Sequence, residues 1–538
     1  MGGQAGRRAG GQAGALLVAV LLASVTPGRA QEATYVVRQG TDTVMIETVR
    51  RMPGALEATL LDRLQRVRWR YAAAIAPDET VIRFEHAYFL AVDSASAEPR
   101  QRAALSFEGD TVIVTIEQGG QSRVQRIGSR AGALPFINPS FVLVEQAIRR
   151  ARVLGRDSAR VPLFGVSGGQ TFEATILLRG RDSAEVRIGP AMAQFQLDRE
   201  GMLVAGSVPA QRLVLERTAG VLGVGVPSLV MARENYAAPA GAPWVAEAVS
   251  IPSADGVRLA GTLALPAGAS VAWKVGAVVL ISGSGPQDRD EHVPTVRDYR
   301  PFREIADTLA RRGIAVLRYD DRGFGESTGD FPAATPLDFA QDVRAAVAWL
   351  RARPEIAPGR VGLIGHSEGG LVAPIVAADD KAIGAVVLLA APARRGREIL
   401  EYQQRYQVAR DTTLDPTEVD SALAAGREGL DSLSASNRWW SFVLGYDPLP
   451  TAVRLGMPVL ILHGETDRQV TSDQANELAT SIRAGGNARV TVHVFAQTNH
   501  LFLSDTDGNP AGYARLRDRK VRKPVLGLLA DWLVAVLR

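Results

Sequence analysis

Cysteine is absent from the 538 residues, which excludes disulfide staples, thiolate catalysis and a lipid-modified cysteine. Lysine is scarce: Lys274, Lys381, Lys520 and Lys523 are the only ones. The positive charge is therefore almost all arginine, and 61 basic against 57 acidic residues leave a formal net charge of +4. No run of basic residues interleaves with aromatics, so no nucleic-acid-binding face is expected. A membrane-spanning run is missing too. The apolar stretch from Ala15 to Ala23 falls well short of the ~20 residues that a spanning helix requires.

What is present is the composition of a soluble globular protein, 46% hydrophobic and 22% charged. The length exceeds one ordinary core, and two domains are expected. At the N-terminus Arg7 and Arg8 precede the Ala15–Ala23 stretch, and Pro27, Gly28, Arg29 and Ala30 lead into polar Gln31 and Glu32. A charged region, a short apolar region and small residues form an export signal, cleaved after Ala30. The expected location is periplasmic or extracellular, with no membrane span left after cleavage. The arginine pair leaves Sec and twin-arginine export both open.

From residue 31 to 235 the chain reads as a β-rich accessory domain. Thr111–Ile116, Thr171–Leu178 and Ala184–Ile188 combine alternation with β-branched residues and are separated by Gly, Asp and Ser turns. One helix is predicted over Pro139–Leu154, where Phe141, Val144, Ala147 and Ile148 share a face. No cluster in this part has catalytic or metal-ligand spacing. An Ala/Pro/Gly-rich stretch marks a linker at 236–244. Over 245–538 strands alternate with helices, which predicts an α/β domain with a mostly parallel sheet and helices on both faces. The predicted strands are Val257–Leu265, Gly276–Ile281, Ile314–Tyr319, Val361–Ile364, Ile383–Ala390, Pro458–Leu462 and Arg489–Phe495; the helices are Pro301–Arg312, Pro336–Arg353 and Val525–Leu537. Between about 393 and 450 the alternation lapses into a polar helical insertion.

The chemistry concentrates at Gly365-His366-Ser367-Glu368-Gly369. It follows an apolar strand and opens a helical stretch, the context in which Gly-x-Ser-x-Gly presents a nucleophilic serine. A serine hydroxyl needs a general base beside it. Downstream only His463, His493 and His500 remain. His463 sits just before the expected acid loop, and His493 lies within a strand that would hold it rigidly. His500 follows that strand in a loop able to fold back over the nucleophile, and it is the chosen base. For the acid, the strand ending at Gly464 leads to Glu465 and Asp467. Asp467 clears the strand end and puts a short carboxylate at the rim, where it can orient the imidazole. Ser282-Gly283-Ser284-Gly285 follows another strand. The backbone N–H groups of Ser284 and Glu368 are the expected oxyanion donors. Arg318–Ser327, with its glycines and acids, reads as a tight, self-bonded loop beside the site. Trp439, Trp440 and Phe442, at the end of the insertion, are candidate substrate-binding residues that could equally pack the insertion onto the body.

Taken in order, Ser282–Asp290, Arg318–Gly329, Gly365–Gly370, Gly464 with Asp467, and Asn499-His500 resemble the α/β-hydrolase superfamily. More narrowly they resemble bacterial esterase D type carboxylesterases, near the serine aminopeptidase-like and dienelactone hydrolase-like branches. The likeness covers about 245–538, and Ser282 departs from it where many relatives carry histidine. It implies an α/β-hydrolase fold with a helical lid at about 393–450, a small ester as substrate, and a Ser367–His500–Asp467 triad working through an acyl-enzyme without metal or organic cofactor. Short acyl chains are expected. A peptidase of the same fold and an exported binding protein with a vestigial hydrolase domain are the competing readings.

Overall fold

The computed structural model describes residues 30–538 apart from 95, 119–120, 190, 219–228, 230, 232, 295, 411–414 and 437. The predicted export segment lies outside the described residues except for Ala30. The chain divides into two compact units, 1–232 and 233–538.

Among its described residues the first unit holds one fifteen-stranded sheet and a helix. Its strands pair antiparallel except for Leu134–Phe136 beside Ser158–Gly165. The first strand, Gln31–Gln39, lies mid-sheet between Asp42–Met52 and Leu213–Thr218. The single predicted helix is present as Phe141–Val153, and its residues from Phe141 to Ile148 are all buried. A helix this enclosed must satisfy its first N–H groups with protein atoms. Buried Glu47 does so: one carboxylate oxygen accepts from the N–H groups of Phe141 and Val142 at 2.8 and 3.0 Å, and the other from the Tyr71 and Ser140 hydroxyls.

The second unit is built on eight strands: β1 (Trp244–Pro252), β2 (Arg258–Pro266), β3 (Val275–Ile281), β4 (Ala315–Tyr319), β5 (Ile356–His366), β6 (Ala385–Leu389), β7 (Val459–Gly464) and β8 (Val490–Phe495). Their order is β1-β2-β4-β3-β5-β6-β7-β8. β2 pairs antiparallel with β1 and β4, and all other neighbours are parallel. Parallel strands buried on both faces should be continuously apolar, and β3, β4, β6 and β7 are buried at nearly every position. Alternate side chains feed two cores. Val279, Leu317, Leu363 and Val386 meet helices α2 (Pro336–Arg351), α3 (Gly369–Asp379) and α8 (Gln474–Ala484). Val278, Val316, Ile364 and Val387 meet α1 (Pro301–Arg311) and α9 (Lys523–Leu537) on the other face.

Between β6 and β7 the chain forms α4 (Gly396–Arg410), α5 (Pro416–Ser436), α6 (Arg438–Gly445) and short α7 (Leu449–Ala452). The α8 helix and strand β1 have no counterpart among the predicted elements. Among the described residues no helix is long and apolar enough to cross a membrane.

Candidate active site

β5 ends at His366 and α3 begins at Gly369, so Ser367 and Glu368 alone turn the chain from strand to helix. The turn drives Ser367 to φ +52°, a left-handed conformation that a side-chain-bearing residue holds only under constraint. Packing supplies the constraint. A Cβ on Gly365 would lie 2.0 Å from the Gly369 oxygen, and one on Gly369 would lie 2.2 Å from the Ile281 oxygen. Only glycine permits these approaches. The Ser367 N–H donates to the Leu389 carbonyl on β6 at 2.9 Å, pinning the turn to the neighbouring strand.

Asp467 and His500 follow the ends of the adjoining strands β7 and β8. His500 Nδ1 lies 2.7 Å from Asp467 Oδ2. The other carboxylate oxygen accepts the N–H groups of Gln469 and Val470 at 2.8 and 2.9 Å. With Nδ1–H donating to the carboxylate, Nε2 is left as the proton acceptor. The loop carrying His500 is held by Asn499, whose Oδ1 accepts from the N–H groups of Leu501 and Leu503 and whose Nδ2 donates to Asp505. His500 reaches the elbow: its ring centroid is 5.1 Å from that of His366, the neighbour of Ser367.

Sequence spacing did not expose a second histidine on the same acid. His463, at the end of β7, is fully buried, with Nε2 2.8 Å from the Val470 carbonyl and 3.3 Å from Asp467 Oδ2. Its signal was the four-residue interval across the turn to Asp467. Burial alone would push the Asp467 carboxyl up, but the His500 and His463 rings outweigh it and hold the group well below the usual carboxylate range. The alternatives lie elsewhere. His493 is exposed on β8, and Glu465 accepts the Gln497 N–H at 3.0 Å on the exposed side of the turn.

The loop after β3 packs against the serine: a Cβ on Gly283 would lie 3.3 Å from Ser367 Cβ. The Gly283 N–H is committed to Glu291 Oε1 at 2.8 Å. The N–H groups of Ser284 and Glu368 make no backbone hydrogen bond among the described residues. Ser282 directs its hydroxyl to Asp321 at 2.8 Å. The Arg318–Ser327 loop, expected to be self-bonded, bonds within itself only in part, and its charged groups pair mostly with residues outside it. Asp320 accepts from the backbone and guanidinium of Arg289 and from the Glu326 N–H, Arg322 pairs with Asp342, and buried Arg318 pairs with Asp290.

Of the three aromatic candidates, Trp439 comes to the elbow, where its Nε1–H donates to Glu368 Oε1 at 2.9 Å. Glu368 also takes the Ser284 hydroxyl, and burial raises its pKa against the pull of these two donors. Trp440 packs edge-on to Trp439, ring centroids 4.6 Å apart. Phe442 instead stacks on Tyr446 at 4.9 Å and joins the core shared by α2 and α3. Among the described residues no cluster of three or more His, Asp or Glu could hold a metal ion.

The strand order, with a strained serine between β5 and a helix and a carboxylate–histidine pair after β7 and β8, defines an α/β-hydrolase architecture. Known proteins agree in kind: the second unit is similar to hydrolase family models and to an esterase. The family model of X-Pro dipeptidyl-peptidase (S15 family) matches residues 255–426, and that of the dienelactone hydrolase family matches residues 423–533. Esterase EstD of Thermotoga maritima is 32% identical over 263 residues, 48% of this chain and 62% of the relative. The chain thus matches less than two thirds of that relative's length. Among solved structures, the Pyrococcus furiosus esterase Pf2001 aligns over 57% of this chain and 98% of its own, with 20% identity and a TM-score of 0.38. Est1E from Butyrivibrio proteoclasticus with bound ferulic acid aligns over 54% and 98%, with 17% identity and a TM-score of 0.35.

Proposed function

We propose that the protein is a serine hydrolase that cleaves carboxylic esters, with Ser367 as nucleophile, His500 as general base and Asp467 as its orienter. The observation that carries this reading is the 2.7 Å bond from His500 Nδ1 to Asp467 beside the strained elbow serine. Ser367 Oγ attacks the ester carbonyl while His500 Nε2 takes its proton. The oxyanion is held by the N–H groups of Ser284 and Glu368. The tetrahedral intermediate expels the alcohol, which receives the proton from His500, and leaves an acyl-serine. Water, deprotonated by His500, attacks this acyl group and regenerates Ser367. The match to an esterase supports the substrate class.

Helices α4–α6 form the lid of this reading, and Trp439 with Trp440 forms an apolar wall for the acyl group. An enclosed wall gains about 0.8 kcal/mol per buried methylene until it is full, after which added carbons clash. Across p-nitrophenyl esters of two to sixteen carbons, kcat/KM is expected to peak near butyrate or hexanoate. A maximum at the long-chain end would overturn the short-acyl preference. Export also belongs to this proposal. The first described strand begins at Gln31, so cleavage after Ala30 would remove none of the described strands, and N-terminal sequencing of secreted protein tests it.

The S15 match favours a second reading, an amide hydrolase using the same residues. Fluorophosphonate labelling mapped by mass spectrometry tests the nucleophile, and p-nitrophenyl esters against aminoacyl amides test the substrate. Ser367→Ala is expected to abolish labelling and lower ester turnover by about 10⁴–10⁶. Undiminished turnover in that variant would overturn the assignment.

A further inference from the structure

We propose that His366 is a positioning residue, held as an imidazolium, whose charge keeps the elbow, the oxyanion loop and the base loop in register. The inference rests on the hydrolase reading above and goes beyond it, because the ring nitrogens of His366 meet the Asp467–His500 pair only at the His500 backbone carbonyl. Its two nitrogens face two acceptors. Nδ1 is 2.8 Å from Glu291 Oε1, and Nε2 is 3.1 Å from the backbone carbonyl oxygen of His500. A neutral imidazole carries one N–H and would leave a lone pair against one of these oxygens; only the doubly protonated ring donates to both. His366 and Glu291 are both buried, where an acceptor facing an acceptor is costly.

The same Glu291 oxygen also accepts the Gly283 N–H at 2.8 Å. The chain of bonds therefore runs from the oxyanion loop through Glu291 to the residue preceding Ser367, and on to the backbone of the proposed base. The charged and titratable groups around His366 are Glu291 from the loop after β3, Asp467 from the turn after β7, and His500 from the loop after β8. Tyr299, just before α1, donates its hydroxyl to the Leu501 carbonyl and braces the same base loop. Burial opposes the charge on His366, but Glu291 and the His500 carbonyl outweigh it, so the pKa is raised. A raised value means that the tie is intact below the ordinary histidine range of about 6.5 and is lost as pH rises through the higher folded value.

An alkaline limb follows in the pH profile of ester hydrolysis, reporting His366 losing its proton. Glu291→Gln keeps an oxygen for Gly283 and Nδ1 but removes the charge. The alkaline limb of kcat in E291Q is expected to move down by about 1–3 pH units, the span of a close charge pair. In the full-length protein labelled with ¹⁵N-histidine, the His366 ring, assigned by difference against H366Q, is expected to carry protons on both nitrogens at neutral pH. A single protonated nitrogen would overturn the proposal, as would an E291Q profile that superimposes on the wild type after scaling. Absence of Ser367 labelling would instead refute the hydrolase reading, and the spectrum would still decide the state of His366.

Discussion

Asp467 serves two histidines, and its low pKa follows from that arrangement. Replacing it with asparagine removes the charge that favours the Nδ1–H tautomer of His500, and kcat is expected to fall by about 10⁴. His500→Ala should cost at least as much, because orientation is only part of the base's work. Glu465→Ala and His493→Ala, whose side chains lie away from the pair, should stay within a few-fold of wild type; steady-state kinetics on one ester ranks all four. The same carboxylate predicts a pH effect on stability. A group whose folded pKa is depressed contributes stability above its unfolded value, about 4, and loses that contribution as pH falls towards the folded value. The difference in urea midpoint between wild type and Asp467→Asn should therefore be constant near neutrality and shrink below about pH 4. A difference that grows on acidification would contradict the depressed pKa. Asp467 and His500 were legible because chain order and strand ends restrict the choice. Glu291 was not, because 75 residues separate it from His366 and only tertiary approach makes them partners.

At the scale of elements, a polar contact joins the elbow to the inserted helices. Trp439→Phe keeps an aromatic ring but withdraws the Nε1–H from Glu368, whose Oε2 already lacks a hydrogen-bond partner among the described residues. Leaving a buried acceptor short of a donor costs about 1–3 kcal/mol, and thermal unfolding should show that loss. An unchanged melting temperature would mean that the contact contributes nothing. The predicted strands that match β3, β4, β6 and β7 were legible for a physical reason: two-sided burial makes them continuous apolar runs. β1 was obscured because it is an antiparallel edge strand, half exposed along its length, that directly follows an Ala/Pro/Gly-rich stretch. In α8 the buried face is formed by Ala475, Leu478, Ala479 and Ile482, and two alanines among four contacts leave a weak apolar signal. β5 begins at Ile356, earlier than predicted, since Pro358 and Gly359 interrupt the pattern that burial would otherwise impose.

At the scale of the molecule, two hydrophobic clusters of the described residues lie within the first unit and two within the second. A chain starting at Arg233 should therefore fold and retain ester hydrolysis within a few-fold of the full protein; far-UV circular dichroism and turnover check this, and an insoluble fragment would show that the second unit depends on the first. Within the second unit, the segment from Gly396 to Ala452 occupies a single connection. The strands it joins are paired through Val386–Leu389 and Val459–Leu462, outside that segment. Connection length enters stability only logarithmically, about 0.6 kcal/mol per doubling. The sheet thus offers a grafting site: a shorter or foreign crossover can be exchanged there without re-registering a strand. A graft must bring a donor to replace the Trp439 indole at Glu368 and apolar side chains to replace Phe442, Tyr446, Leu449 and Ala452 in the core beside α2 and α3, and its outer surface can then remodel the entrance to Ser367.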